Sequence, residues 1–126
     1  MLFRSAMTKG TTALMTELSV AAERLGVSEV LREEFAQSQP AMLERMRRAV
    51  PGMVPKAHRW VGEMEEIAKT FGACGLTPAT FEGAAAIYAF VAEAPPGRNA
   101  SEGRDRPASF EDLVVMLARS RADGDR

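Results

Sequence analysis

The spacing of its apolar residues constrains the fold of this chain more than any other feature. Over the first 25 residues they recur at helical spacing, with Gly10 in the one longer gap, at Phe3, Met7, Leu14, Leu18, Ala21, Ala22 and Leu25. This spacing matches the period of an α-helix. No stretch longer than four residues alternates apolar and polar side chains as a half-buried strand does. The sequence therefore predicts an all-α protein that is led by one long helix.

Capping and helix-breaking residues divide the rest of the chain. Gly26 can take the left-handed conformation that ends many helices, and Pro51 with Gly52 predicts a break. Thr77 is a good N-cap and Pro78 a good first helical residue. We expect a compact bundle of five to six helices over residues 2–25, 28–39, 40–49, 53–71, 78–94 and 109–120.

The composition changes at residue 95. The segment that follows is rich in Gly, Pro, Arg and Asp and nearly free of apolar residues, as is typical of a flexible linker. Ser109 then opens a sequence that resembles a capping box, followed by an amphipathic pattern. The chain is accordingly divided into a helical domain over 1–94, a flexible linker over 95–108, a C-terminal amphipathic helix over 109–120 and a disordered tail over 121–126.

The charge balance argues against two classes of partner. Sixteen basic and seventeen acidic residues leave a formal net charge of −1, so no overall field attracts nucleic acid or anionic lipid. The apolar runs are also far shorter than the roughly 20 residues that cross a bilayer. Cys74 is the single cysteine, which excludes an intrachain disulfide and fits a reducing cytoplasm. We expect a cytoplasmic protein that binds neither nucleic acid nor membrane.

The residues that could hold a metal or a nucleotide do not form the usual motifs. His58 has no second His or Cys three or four positions away, so a zinc site is not indicated. Cys74 has no neighbouring cation that would activate its thiol as a nucleophile. Gly72, Gly75 and Gly83 follow no predicted strand and do not form a phosphate-binding loop. We expect this chain alone to bind neither a metal nor a nucleotide cofactor.

Two polar features interrupt the predicted helices. In the first helix, Thr8, Lys9 and Gly10 break the apolar stripe, and Lys9 either extends to water or lines a substrate cleft. In the fourth helix, Arg59 lies one turn before Glu63. These two residues belong either to a solvent-exposed face with salt bridges, such as one between Glu65 and Lys69, or to a cleft shared with another domain.

A basic cluster and a glycine offer further alternatives. The cluster consists of Arg45, Arg47, Arg48, Lys56 and Arg59. It either binds a carboxylate or phosphate or is simply solvated. Gly62, in the same turn as Trp60, would allow a partner backbone to come close.

Three segments together resemble a known helical domain. They are residues 1–14, residues 55–68 and residues 75–78, and the most specific string runs from Glu63 to Ala68. These segments are similar to the C-terminal domain of phosphogluconate-dehydrogenase-like proteins, which are relatives of the 3-hydroxyisobutyrate dehydrogenases. The resemblance spans about residues 1–91 and implies the fold of a 6-phosphogluconate dehydrogenase C-terminal domain.

The resemblance also implies where the catalytic parts of a full-length relative lie. In that family, a Rossmann domain binds NAD or NADP, and a catalytic lysine lies near the start of the long helix. The alignment places this lysine immediately before Met1, so Lys9 is not its counterpart. A family position that is often a substrate-binding Asn is Arg4 here. A family Lys–Asp pair has its nearest counterpart at Gly62 and Glu63, without the lysine.

The function implied by the resemblance is that of one half of an NAD(P)-dependent hydroxyacid dehydrogenase. This half would select a small hydroxyacid substrate and form a homodimer, and it would be inactive without the Rossmann domain. No catalytic residue is assigned to the chain, and the residues expected to face substrate are Arg4, Thr8, Lys9, Arg59 and Glu63. The alternative is a stand-alone, non-catalytic helical module for dimerisation or interaction.

Overall fold

A computed structural model describes residues 2–101 and 109–120 of the chain. Within these ranges every regular element is a helix, and the predicted all-α bundle with one long leading helix is confirmed. The elements are α1 (Leu2–Arg24), α2 (Ser28–Ser38), α3 (Pro40–Met53), a 3₁₀ turn (Val54–Lys56), α4 (Ala57–Ala73), α5 (Ala79–Glu93), α6 (Pro95–Ser101) and α7 (Phe110–Arg119). None of the described helices is both long and apolar enough to cross a membrane.

Helix α1 ends as the sequence predicts. Gly26 has a φ of 76°, in the left-handed region. The Val27 amide donates to the Ala22 carbonyl at 2.9 Å, and the Gly26 amide donates to the Glu23 carbonyl at 3.1 Å. These two bonds form a Schellman motif, which satisfies the last carbonyls of the helix and turns the chain towards α2.

The buried face of α1 contains only part of the predicted apolar stripe: Ala22 is buried and Leu18 packs against the core, but most of the larger residues face outward. Phe3, Met7, Leu14 and Leu25 are 60%, 70%, 61% and 77% exposed, and we call these four residues the outer stripe. The buried face consists mainly of small residues: Ala6, Thr12, Ala13, Met15, Thr16, Ser19, Val20 and Ala22. Their small size lets neighbouring helices approach α1 closely.

The polar members of this buried face satisfy their own hydrogen-bonding needs. The Thr12, Thr16 and Ser19 hydroxyls donate to the carbonyls of Thr8, Thr12 and Met15, one turn back on α1, at 3.0, 2.8 and 2.8 Å. Because each hydroxyl has a partner, its burial carries little penalty. A pattern that counts only apolar residues therefore misses part of the buried face.

The predicted break at Pro51 and Gly52 is wrong, because α3 continues through both residues to Met53. A proline inside a helix removes one backbone hydrogen bond. Here Val50 and Met53 are 0% and 1% exposed on the core side of α3, and this burial offsets the loss. Helix α4 consequently begins at Ala57 and not at Met53.

The structure also differs from the sequence prediction around residue 95. Residues 95–101 form α6, although we expected them to belong to a flexible linker. The Arg98 amide donates to the Ala94 carbonyl at 3.0 Å, and Gly97 is buried against the end of α5. A Cβ atom at Gly97 would lie 1.9 Å from the Val91 carbonyl oxygen, so this helix packs closely because the residue has no side chain. Residues 102–108, the rest of the expected linker, and residues 121–126, the expected tail, lie outside the described residues.

The ends of α5 and α7 agree closely with the sequence. The Ala79 amide donates to the Thr77 hydroxyl at 3.0 Å, although the helix begins one residue later than predicted. Ser109 caps α7 by accepting the Asp112 amide at 3.0 Å. Helix α7 buries Phe110, Leu113, Val114 and Leu117 against the bundle. The core thus lies between α1 and the elements α3, α4, α5 and α7.

Candidate functional site

Lys9 of α1 and Glu63 of α4 meet in the folded chain. The Lys9 ammonium donates to both carboxylate oxygens of Glu63 at 2.8 Å. The two side chains are 21% and 36% exposed, so the pair is partly shielded but reachable from solvent. Lys9 therefore does not simply extend into water.

Trp60 forms one wall beside this ion pair. The Lys9 ammonium nitrogen lies 4.7 Å from the centroid of the half-buried Trp60 ring, and the Lys56 ammonium nitrogen lies 6.0 Å from the same centroid. Both distances are within the range of a cation–π interaction. One indole ring thus has two cations close to it.

Tyr88 of α5 is the buried member of this group of residues. It is 0% exposed, and its hydroxyl donates to the backbone carbonyl of Lys9. Its ring meets Trp60 edge-on, with ring centroids 5.4 Å apart and an interplanar angle of 82°. Burial raises the pKa of the Tyr88 phenol well above its usual range, so the hydroxyl keeps its proton and acts as a donor. We call Lys9, Glu63, Trp60 and Tyr88 the Lys9 cluster.

The Lys9 cluster can bind an anionic oxygen. An ammonium group has three N–H donors, and the two Glu63 oxygens take up two of them. With Lys56, the charged groups around Trp60 are two cations and one anion. A carboxylate or a similar anion would find a hydrogen-bond donor and a net positive charge there.

A comparison with known families bears directly on these residues. The family model described as "Domain of unknown function (DUF1932)" matches residues 22–91, more than half of the chain. The chain belongs to this family. The DUF1932 domain is the C-terminal helical domain of 3-hydroxyisobutyrate- and phosphogluconate-dehydrogenase-like proteins, so the resemblance inferred from the sequence is confirmed. No curated protein and no solved structure gives a match to the chain.

The matched part of this DUF1932 domain contains α2 to α4 and nearly all of α5, and therefore three members of the Lys9 cluster, namely Glu63, Trp60 and Tyr88. Lys9 itself lies ahead of the match, on the first half of α1. The cluster is thus assembled from the matched helices and the helix that leads into them.

The other expected substrate-facing residues lie near the cluster in sequence but do not bond to it. Arg4 and Thr8 are exposed on α1, and Arg59 is exposed on α4. Among the described contacts, the ion-pair partner of Glu63 is Lys9 and not Arg59. The structure therefore brings together two of the five residues, Lys9 and Glu63.

The ion pairs of the charged residues distinguish between several of the alternatives that the sequence left open. Lys69 pairs with Glu66 at 3.2 Å and not with Glu65. The basic cluster does not act as one unit, because Arg47 bonds to Glu111 of α7 and Arg48 lies 3.7 Å from Glu44. Lys56 is the member that reaches the Lys9 cluster.

Gly62, His58 and Cys74 lie on the surface of the DUF1932 domain. A Cβ atom at Gly62 would have nothing within 4 Å, so the side of α4 that carries it is open. His58 and Cys74 are both exposed. Across residues 2–101 and 109–120, no group of three or more His, Cys, Asp or Glu side chains is placed to hold a metal ion.

An apolar groove runs along the outer side of α1 and α5. One cavity of about 570 Å³ is lined by residues that include Phe3, Met7, Leu14 and Phe81. A second, of about 520 Å³, is lined by residues that include Leu25 and Phe90. The two cavities share Glu17 and Ile87, so they form one continuous groove beside the outer stripe.

The sequence missed Lys56, Trp60 and Tyr88 as parts of one site. Trp60 stood out because it shares a turn with Gly62, whereas the spacing of Tyr88 in the fifth helix is that of an ordinary core position. Lys9 and Glu63 are 54 residues apart, and Lys9 and Tyr88 are 79 apart. Such contacts depend on how the helices pack, which a periodic pattern in one helix does not encode.

Proposed function

We propose that this DUF1932 domain is the substrate-selecting and dimerising half of an NAD(P)-dependent hydroxyacid dehydrogenase. The observation that carries the proposal is the Lys9 cluster, which places an ammonium group between Glu63 and Trp60 at the solvent boundary. In this proposal the Lys9 and Lys56 ammonium groups receive the carboxylate of a small hydroxyacid. Arg4, Thr8 and Arg59 line the approach to it.

The redox step belongs to parts of the parent protein other than these helices. NAD or NADP bound to a Rossmann domain would accept or supply the hydride, and the family's catalytic lysine would polarise the substrate oxygen. In this proposal the chain alone binds no dinucleotide and transfers no hydride. Saturable binding of NADH or NADPH by this chain would contradict that part of the proposal.

Trp60 offers a direct test of the substrate role, because it is the single tryptophan of the chain. Titration with a small hydroxyacid, such as 3-hydroxyisobutyrate, should change its fluorescence in a saturable way. Lys9→Gln removes the charge and should weaken binding about tenfold or more, since a charge-assisted hydrogen bond contributes about 1.5–3 kcal/mol.

Lys69→Gln is the matched control. Lys69 lies on the same helix as Trp60, and its side chain is 75% exposed beside Glu66, so its loss should leave binding unchanged. Equal affinity of the Lys9→Gln variant and the unaltered chain would overturn the substrate role. So would the absence of any saturable response up to tens of millimolar hydroxyacid.

The outer stripe supports the dimerising part of the proposal. Its four large side chains, each more than half exposed, offer about 500 Å² of apolar surface, against about 800 Å² per partner in a standard interface. The groove beside them adds the outer face of α5. The largest apolar patch of a typical monomer covers roughly 300–600 Å² and is often a binding site, so an exposed stripe of this size is a candidate interface.

The same surface favours one alternative, a stand-alone helical module for dimerisation or interaction without catalysis. Either function can use this surface for self-association, but only the dehydrogenase half requires Lys9 to bind a hydroxyacid. Self-association together with a silent Trp60 titration would therefore favour the alternative.

A further inference from the structure

Tyr88 contacts the backbone of α1 at a single hydrogen-bonding position. Its hydroxyl donates to the Lys9 carbonyl, and the backbone amide of Ala13 lies close to the same hydroxyl. Lys9 and Ala13 are four residues apart, so their carbonyl and amide are natural partners in an α-helix. The phenol of α5 is therefore attached to the turn of α1 that begins at Lys9.

Tyr88 also reaches the Lys9 side chain through Trp60. The Tyr88 ring supports the indole edge-on, and the Lys9 ammonium lies over the indole. Tyr88 of α5 thus contacts the Lys9 backbone directly and the Lys9 ammonium only through Trp60 of α4. Glu63 adds the third contact, from α4.

The hydroxyl is difficult to explain by packing alone. Tyr88 is fully buried, and a phenylalanine of the same shape would fill the same space without a polar atom to desolvate. The hydroxyl is nevertheless present and bonded to one named carbonyl. A lysine side chain has many rotamers, and an ion pair as exposed as that of Lys9 and Glu63 does not fix it strongly. An anchor on the helix turn that carries the lysine removes part of this freedom.

We propose that Tyr88 is a positioning residue that holds Lys9 so that its ammonium lies between Glu63 and Trp60. The inference concerns the free domain, and it rests on the proposed function only for the identity of the anion that Lys9 then binds.

Tyr88→Phe tests the proposal because it removes the hydroxyl and keeps the ring against Trp60. The measurement is the exchange of the Lys9 ammonium protons with water, followed by ¹⁵N NMR of the lysine side chains in the full chain. In the unaltered protein this ammonium should exchange more slowly than that of the exposed Lys69. In Tyr88→Phe its exchange should accelerate about fivefold, which corresponds to the loss of one hydrogen bond.

Thr16→Val is the matched control for the loss of a buried hydroxyl. Thr16 is 1% exposed and donates to a carbonyl of α1, as Tyr88 does, but its bond stays within the helix and does not involve Lys9. This variant should leave the exchange of the Lys9 ammonium unchanged. Urea unfolding of both variants shows whether their losses of stability are comparable.

Two results would overturn the positioning role. One is unchanged Lys9 exchange in Tyr88→Phe. The other is equal acceleration in Thr16→Val at a comparable loss of stability, because a general loosening of the fold would then be the cause. A failure of the proposed function is distinguishable, since a hydroxyacid that does not bind the unaltered chain leaves these NMR results as they are.

Discussion

Two glycines in the helices of this protein have opposite surroundings. A Cβ atom at Gly10 would lie 2.9 Å from a ring carbon of Phe81, whereas one at Gly62 would have nothing within 4 Å. Alanine is favoured over glycine inside a helix by about 1 kcal/mol. We therefore expect Gly62→Ala to raise the free energy of unfolding by about 0.5–1 kcal/mol. Gly10→Ala should lower it by about 1 kcal/mol, because the Phe81 ring must move.

Urea unfolding of the two variants side by side measures the difference. A destabilising Gly62→Ala would indicate that another chain approaches α4 at this point, as one alternative from the sequence holds. A Gly10→Ala variant as stabilised as Gly62→Ala would show that Phe81 yields without cost, and would contradict the close contact between α1 and α5.

Single residues also show how far the sequence can predict the candidate site. Lys9 and Glu63 stand out in the sequence because a lone cation interrupts an apolar stripe and a carboxylate lies in the string most specific to the family. The pairing of Lys9 with Glu63 is not evident from the sequence, because Arg59, one turn from Glu63, is the nearer cation along the chain. The contact forms because α1 buries its small residues, which turns Lys9 towards α4.

At the scale of elements, ion pairs attach the first turn of α7 to the rest of the bundle. Arg47 donates to the Glu111 carboxylate, and Arg32 lies 4.0 Å from it. The Arg47 guanidinium holds the pKa of Glu111 below its ordinary value of 4.5. The ionised carboxylate therefore stabilises the fold above pH 4.5, and this contribution disappears as the pH falls through the lower pKa of the folded state.

Glu111→Gln should remove this acid-sensitive part of the stability. At pH 7 the variant should be less stable by about 0.5 kcal/mol, a typical value for a partly exposed pair. Below pH 4.5 the difference from the unaltered protein should shrink. Denaturant unfolding between pH 3 and 7 measures both effects, with Glu33→Gln, an exposed acid of α2, as the control. A difference that stays constant with pH would show that the ion pair does not stabilise α7.

The elements also show where sequence rules fail. Helix ends at Gly26, Thr77 and Ser109 follow from local capping chemistry and were predicted within one residue. The predicted break at Pro51 and the predicted linker from residue 95 are wrong, because in both places burial against other helices outweighs a local preference. Local sequence rules therefore predict where a helix is capped better than they predict whether a segment remains helical.

At the scale of the whole molecule, the outer stripe predicts self-association. If α1 forms the interface, Leu14→Glu should convert a dimer into a monomer in sedimentation velocity. The free energy of unfolding, extrapolated to the monomer, should stay within about 0.5 kcal/mol, because Leu14 is 61% exposed in one chain.

Leu76→Glu is the matched control, since Leu76 is 64% exposed but does not line the groove. This variant should remain associated. A monomeric unaltered chain at high concentration, or equal dissociation of both variants, would contradict an interface on the outer stripe.

The buried hydroxyls of α1 have one more consequence, which concerns its axial register. The hydroxyls of Thr12, Thr16 and Ser19 donate to carbonyls within α1, so they form no directional bond with the neighbouring helices. Small side chains packed in this way resist sliding only weakly. The polar bonds between helices lie towards the two ends of α1: Lys9 binds Glu63 and Tyr88, and Arg24 donates to the Ala118 and Ser120 carbonyls at the end of α7. These two groups of hydrogen bonds fix the position of α1 along its own axis, relative to the helices that it packs against.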